Sequence, residues 1–529
     1  MTRIFQVVFL SAAAASAPAF AQHHDLGTVR FPTSCQPAVQ AEFERGVAML
    51  HSYWFNYAAK TFRAVLEKDP ACAMAYWGIA MDLLGNTLAA PPPAAQAREA
   101  WAVLEQARAV PAKTDRERRW IEAIRAYFRD HEKVPLETRL TAYSEAMQGL
   151  AQNYPDDFEA QVFHALTLQA AASKRDLTYA AQRESAAILE RLYAANPQHP
   201  GITHYLIHAY DYAPFADQGI AAARRYASIA PAVPHARHMP AHIYSMVGLW
   251  EDSITSNLAA LEIQPDYYHA SDFITYAQLQ LTQDRAAART IDRALNTPER
   301  GDRPATLANF TALTAMPARY VLERGDWKSA AALPMRPTSY PQAEAIGRFT
   351  RGLGMARTGN PGGATSEVAA LRTLRSALLQ SADAYWADRV QEQILAVSAW
   401  IAFAEGATAK AIDAMRQAAD GEDGSLKHVA MENRLYPMRE LLGDLLMETK
   451  QPAAAFTEYV RAVKQHPNRF RSLHGAARSA EASGDRVNAV GYYTKLIDLS
   501  KRGDGTRPEV QHAQAYVRER QPPVPGVRE

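Results

Sequence analysis

Leu442-Gly443-Asp444, followed at fixed distances by Ala455, Tyr459, Ala462 and Pro467, is the stretch that decides the fold. Small residues at these places let two antiparallel helices approach closely, and the proline stops the second of them. The pattern returns at Gly46, Ala58, Phe62, Val65 and Pro70, nearly complete. Further copies run through Gly406, Ala411, Met415 and Ala418, and through Ala477, Gly484, Ala489 and Tyr493. The period is near ~34 residues, and counting such units gives about a dozen helical hairpins between roughly 38 and 505.

These marks resemble those of the tetratricopeptide repeat, which carries Gly, Ala, Tyr or Phe, Ala and Pro at fixed places in a unit of about 34 residues. The resemblance covers nearly the whole mature chain. It implies an all-α solenoid, a right-handed superhelix of hairpins, and it implies no particular function, because the fold hosts many binding roles. Departures from the period locate loops. Pro91-Pro92-Pro93 within 89–95 must loop out between the helices of the second unit, units between Asp115 and Asn196 are stretched, and 301–304 and 334–341 break the rhythm. The organisation read from this is a signal peptide (1–21), an N-terminal strap (22–37), an N-terminal array (38–299), irregular helical repeats (300–390), a C-terminal array (391–505) and a Pro/Arg-rich tail (506–529). No region reads as β-strand.

The first 21 residues carry Arg3, an apolar run from Ile4 to Ala15, and Ala19-Phe20-Ala21 before Gln22, the layout of a cleavable secretory signal. No later stretch approaches ~18 unbroken apolar residues. An exported protein, periplasmic in a Gram-negative bacterium or secreted, is expected. Lys+Arg is 57 against Asp+Glu 56, a balance that argues against a nucleic-acid partner or a polybasic membrane role. Cys35 and Cys72 are the only cysteines, and in an exported chain such a pair reads as one disulfide, here stapling the strap to the solenoid.

Histidines carry the chemistry. The chain has 16 in 529 residues, yet six fall together where chance would put about two. They are His204, His208, His235, His238, His242 and His269. His204/His208 and His238/His242 are i,i+4 pairs, each on one helix face. Pro231 and Pro265 end two consecutive repeats, so the two pairs occupy equivalent places in adjacent units. The same count aligns His235 with His269, and aligns Asp272 and Tyr276 with the histidine pairs; Asp211 lies one turn beyond His208. The resemblance implies that these places line the concave groove. Packed helices lie about 8–10 Å apart, so four imidazoles reaching inward from His204, His208, His238 and His242 can surround one metal at about 2.0–2.1 Å. His235, His269, Asp211 and Asp272 would serve as further ligands or as acceptors that orient a ring. Sulfur-free ligation of this kind suits Zn, Cu, Fe, Mn or Ni.

Weaker features complete the inventory. Gln22-His23-His24 would form a Cu(II)/Ni(II)-chelating terminus after cleavage. Arg439, Glu440 and Asp444 sit where a later repeat would clamp a basic ligand, and His51 with Tyr53, Trp54 and Phe55 reads as repeat packing. His428 and Glu432 read as a stray surface pair. No Gly-x-Ser-x-Gly, Gly-x-x-x-x-Gly-Lys, His-Glu-x-x-His or Cys-x-x-Cys occurs, so any enzyme here must be built on the histidine groove. The chain also resembles exported bacterial tetratricopeptide proteins that share Cys72–Gly78 and the Pro-His-x-x-His-Met-Pro-x-His run of Pro234–His242; that likeness implies export, fold and a histidine block, not a reaction.

Three readings follow. The first is metal binding or delivery in the groove. The second is a metal-dependent enzyme using the same ligands, since such a site can keep a coordination position open. The third is a metal-free scaffold holding a peptide or protein partner in the groove. Catalysis itself is left open by the sequence.

Overall fold

The computed structural model describes residues 25–298 and 306–520. The signal peptide, Gln22-His23-His24, the 301–304 break and the end of the tail lie outside the described residues. Within them the chain is all-α, from Gln40–His51 to Pro508–Arg520, and no strand forms. Consecutive helices pack against each other along the whole length, giving the expected dozen hairpins and a closing helix. The triple proline lies in the loop between Ala73–Leu84 and Ala94–Ala109, and an irregular segment, 333–340, precedes Pro341–Arg357, as the broken period predicts.

Packing explains the repeat marks. Phe62 is fully buried between Gly46 and Gly78, where a Cβ would sit 2.8 and 2.6 Å from its ring. Tyr459 is held in the same way by Gly443 and Gly475. One aromatic from the second helix therefore fills the space two glycines leave on successive first helices. Burying each ring contributes about 2–3 kcal/mol.

Residues 25–36 form no helix and lie against the first repeats. Phe31 is buried against Phe43, Trp77 and Trp120, with the Arg116 guanidinium 5.0 Å from its ring centroid. The Ser34 backbone N–H donates to Glu117 at 2.6 Å, and Thr28 N–H donates to the Gln198 carbonyl. Cys35 and Cys72 form a disulfide, with Cα atoms 4.8 Å apart.

Later repeats then fold back over the earlier ones. The Trp250 indole N–H donates to the Asn468 carbonyl, Phe470 N–H to the Gln280 side chain, and Arg507 forms a two-pronged pair with Asp284. Gly248 lies at the seam with φ +74°, where a Cβ would stand 2.4 Å from the Pro467 carbonyl oxygen. Leu426 N–H donates to the Lys174 carbonyl, which brings 426–434 against the histidine repeats. The concave groove that the resemblance implies is thus covered around the histidines by the chain's own later segments. Period alone carries no information about how far a superhelix closes.

Candidate metal centre

Two helices deliver the first four histidines. Pro200–Tyr210 starts on Pro200 at its first turn, with the His199 ring accepting from Ile202 N–H as its cap, and presents His204 and His208 one turn apart. The next first helix is in two pieces, Pro234–His238 and Pro240–Val247, because Pro240 lacks the N–H that would continue it. His238 and His242 nevertheless face each other. His269 follows on Tyr268–Gln280.

The structure offers two histidine triads beside the grouping of His208, Asp211 and His242, which draws on both of the expected pairs. Potential ligand atoms of His204, His208 and His235 lie within 4.8 Å of one another, and so do those of His238, His242 and His269. Each triad takes an i,i+4 pair from one repeat and the histidine that opens the next. That third residue leans back over the preceding helix, so His235 and His269 are full members, not accessories. The triads adjoin: the His208 and His242 ring centroids are 5.7 Å apart, and those of His235 and His238 are 6.0 Å apart. All six are buried except the partly buried His235.

Hydrogen bonds fix the tautomers of His204, His238 and His242. His238 Nδ1–H donates to Asn257 Oδ1 at 2.6 Å, and the Asn257 amide is oriented because its nitrogen donates to the Ser253 carbonyl. His242 Nδ1–H donates to Asp211 Oδ2 at 2.9 Å, with Glu432 at 3.4 Å. The remaining Nε2 atoms point at each other, 3.1 Å apart. In the first triad His204 Nδ1–H donates to the His51 carbonyl, and its Nε2 stands 3.1 Å from His235 Nε2, whose other nitrogen meets the Tyr267 hydroxyl. Burial lowers the pKa of all six, and neighbouring imidazoles lower most of them further; His204 is pushed down to about 3 and His238 to about 4. Neutral rings with inward lone pairs are what a transition metal requires.

The supporting residues are partly unexpected. Asp211 orients His242 and receives Lys427 Nζ at 2.6 Å; Lys427 also pairs with Glu432. His428 and Glu432, read as a surface pair on one helix, are buried in irregular chain, with Glu432 beside the second triad. His51 belongs to a buried His51–Glu159–His199 cluster, not to simple repeat packing. Both ring nitrogens of His51 and both of His199 are engaged, by Glu159, Tyr205 and Ile202, so the cluster supports His204 through the His51 carbonyl rather than offering ligands.

Other expected site residues point elsewhere. Asp272 forms a two-pronged pair with the fully buried Arg319, at 2.8 and 3.2 Å, and Tyr276 OH accepts from Arg469. Arg439 is spent on Asp420, Asp423 and Glu458, and Glu440 on Arg469 and Ser472. Asp444 accepts from Tyr436, Tyr459 and Arg471. Arg319 and Arg469 each need a buried carboxylate, and those needs take the residues that sequence alone placed in the groove.

No family model matches the chain, and no curated protein matches it in sequence. Among solved structures it is similar to the human IFIT1 dimer with m7Gppp-AAAA, at 11% identity and a TM-score of 0.36, over 81% of this chain and 90% of that one. A likeness at that level leaves function to the chain's own residues. No helix among the described residues is long and apolar enough to cross a membrane.

Proposed function

We propose that this is an exported metal-binding repeat protein that holds two transition-metal ions, one in each histidine triad. The observation that carries the reading is the His238–His242 contact. Both Nδ1 atoms are committed as donors, so two buried lone pairs face each other at 3.1 Å with no proton to share. Two nitrogens bound tetrahedrally at about 2.0–2.1 Å stand about 3.3 Å apart, so a metal turns the repulsion into ligation. Asp211 is the carboxylate acceptor that metal-bound imidazoles characteristically use, and the Asn257 side-chain oxygen accepts from His238 in the same position.

Neutral imidazole sets suit zinc, copper, iron or nickel better than manganese, which prefers oxygen ligands. Three protein ligands leave a fourth position for water or substrate, so the centre fits binding and delivery and is equally compatible with catalysis. Export is supported by the Cys35–Cys72 disulfide together with the signal-like leader. Elemental analysis of untagged protein, purified without chelator, tests the reading: two equivalents of one metal are expected, and protein that takes up none from any of the four candidates would overturn it.

A further inference from the structure

Some distance along the chain, the later repeats enclose a second polar site that the histidines do not touch. It is a cavity of about 210 Å³ between the ends of Leu307–Glu323 and Pro341–Arg357, the helices Met438–Glu448 and Phe470–Ala482, and the start of Pro508–Arg520. Four arginines line it, Arg324, Arg357, Arg471 and Arg478. Three carboxylates line it too, and Arg324 lies 3.7 Å from a fourth, Asp284. Asp444 is saturated by two tyrosine hydroxyls and Arg471, and Glu448 is exposed and 3.7 Å from Arg357; Glu509 is the third.

The guanidinium groups are built in rather than draped. Arg357 is sandwiched, 4.2 Å from the Trp327 ring centroid and 3.8 Å from that of Trp400. Arg471 packs over the Tyr436 ring at 4.9 Å. Stacking fixes each plane and leaves its edge for hydrogen bonding. Arg357 Nη1, Arg471 Nε and Arg478 Nε are each buried with no hydrogen-bond acceptor among the described residues. These three atoms are closed to water, so a ligand in the cavity would meet the other edges of the guanidinium groups. The His474 ring at the same wall is held neutral, its pKa pushed to about 3 by burial and by Arg478 and Arg471.

We infer that this arginine-lined cavity binds a small oxyanion ligand, a phosphoryl or carboxylate group carried on a compact organic body. Planar guanidinium edges match both groups. A cavity near 150 Å³ holds benzene, so 210 Å³ admits an oxyanion with a short organic remainder. The basic ligand expected at Glu440 and Asp444 from sequence is replaced here by one of opposite charge, because those carboxylates are consumed internally.

Calorimetric titration of the full chain with inorganic phosphate and, separately, with succinate tests the inference. Saturable binding of at least one probe is expected; phosphate alone assigns a phosphoryl ligand and succinate alone a carboxylate. Arg478→Gln and Arg357→Gln should each weaken it at least about tenfold, while Arg461→Gln, on an exposed face outside the cavity, leaves it unchanged. These positions lie outside both histidine triads, so their effect separates this site from an anion held by a metal. Should Arg357→Gln fail to fold for want of its tryptophan sandwich, Arg478→Gln decides. No saturable binding of either probe up to about 10 mM, or binding that Arg478→Gln leaves intact, overturns the site.

Discussion

His238 Nε2 lies 3.1 Å from His242 Nε2, and neither atom carries a proton for the other. Asn257 holds one ring and Asp211 the other from behind, so the pair can relax only by gaining a cation between them or by protonating in a buried site. The first route is the cheaper near neutral pH, because burial already opposes charge on both rings.

Metal stoichiometry follows from the division into triads. Wild-type protein should carry two equivalents, and His238→Ala/His242→Ala should retain about one, in the first triad, with helical content unchanged. The matching pair His204→Ala/His208→Ala should spare the second triad. Mass-spectrometric metal counting on the two variants checks this. If one double variant stripped both ions, the triads would be a single site.

Asp211→Asn is the sharper probe of orientation. It keeps the shape of the carboxylate but removes its charge from His242 Nδ1–H and from Lys427. Affinity at the second triad should fall about 10–100-fold, the usual cost of losing such a partner, while the first triad holds. Competition against a chromogenic chelator resolves the two steps.

Gly201 couples packing to the first triad. A Cβ there would stand 2.4 Å from His51 Nδ1, and the His51 carbonyl anchors His204. Gly201→Ala should cost about 1–3 kcal/mol by overpacking and weaken the first site by displacing that carbonyl. A denaturant melt and a metal titration on the same variant test the link; a destabilised protein with unaltered metal affinity would break it.

The fold was readable because each repeat mark is a local packing demand: Tyr459 needs Gly443, and both are repeat marks, whereas Gly475 on its other side lies outside the marks. The six histidines were readable for the same reason, since tandem repetition copies a helix face. Their grouping was not, because it depends on how far His235 and His269 lean across the preceding helix. Lys427 left no signal at all, and Glu432 was visible only as half of a pair that reads as surface. Lys427 reaches Asp211 across 216 residues, and Glu432 reaches His242 from about as far along the chain, through closure of the superhelix, which no periodicity encodes. His199 offered a faint clue, a histidine five residues before His204 at the start of the same helix.

The Cys35–Cys72 bridge should matter for stability. It closes a loop with a sequence separation of 37, worth about 4 kcal/mol in the chain-entropy model. Cys35→Ala/Cys72→Ala should unfold at correspondingly lower denaturant, and strap residues around Phe31 should exchange amide protons fastest. An unchanged denaturation midpoint would remove the bridge from any account of stability.

The histidines also set the response to acid. Their folded pKa values are depressed below the unfolded value of about 6.5, with His238 near 4 and His204 near 3. Above pH 6.5 neither state binds a proton at these rings, so the metal-free chain has its full stability there. As pH falls below that value the unfolded chain takes up protons that the folded chain refuses, and stability is lost steadily until the folded values are reached. Each such histidine contributes a slope of up to about 1.4 kcal/mol per pH unit in that window. Bound metal competes with protons for the same lone pairs, so loading should move the acid-unfolding midpoint to lower pH. Replacing His238 and His242 by leucine should flatten the metal-free slope between pH 6.5 and 4. Circular dichroism melts over this interval, with and without metal, measure both effects. A metal-free chain that grew more stable on acidification would mean that the rings are charged in the folded state, and the ligand assignment would fall with it.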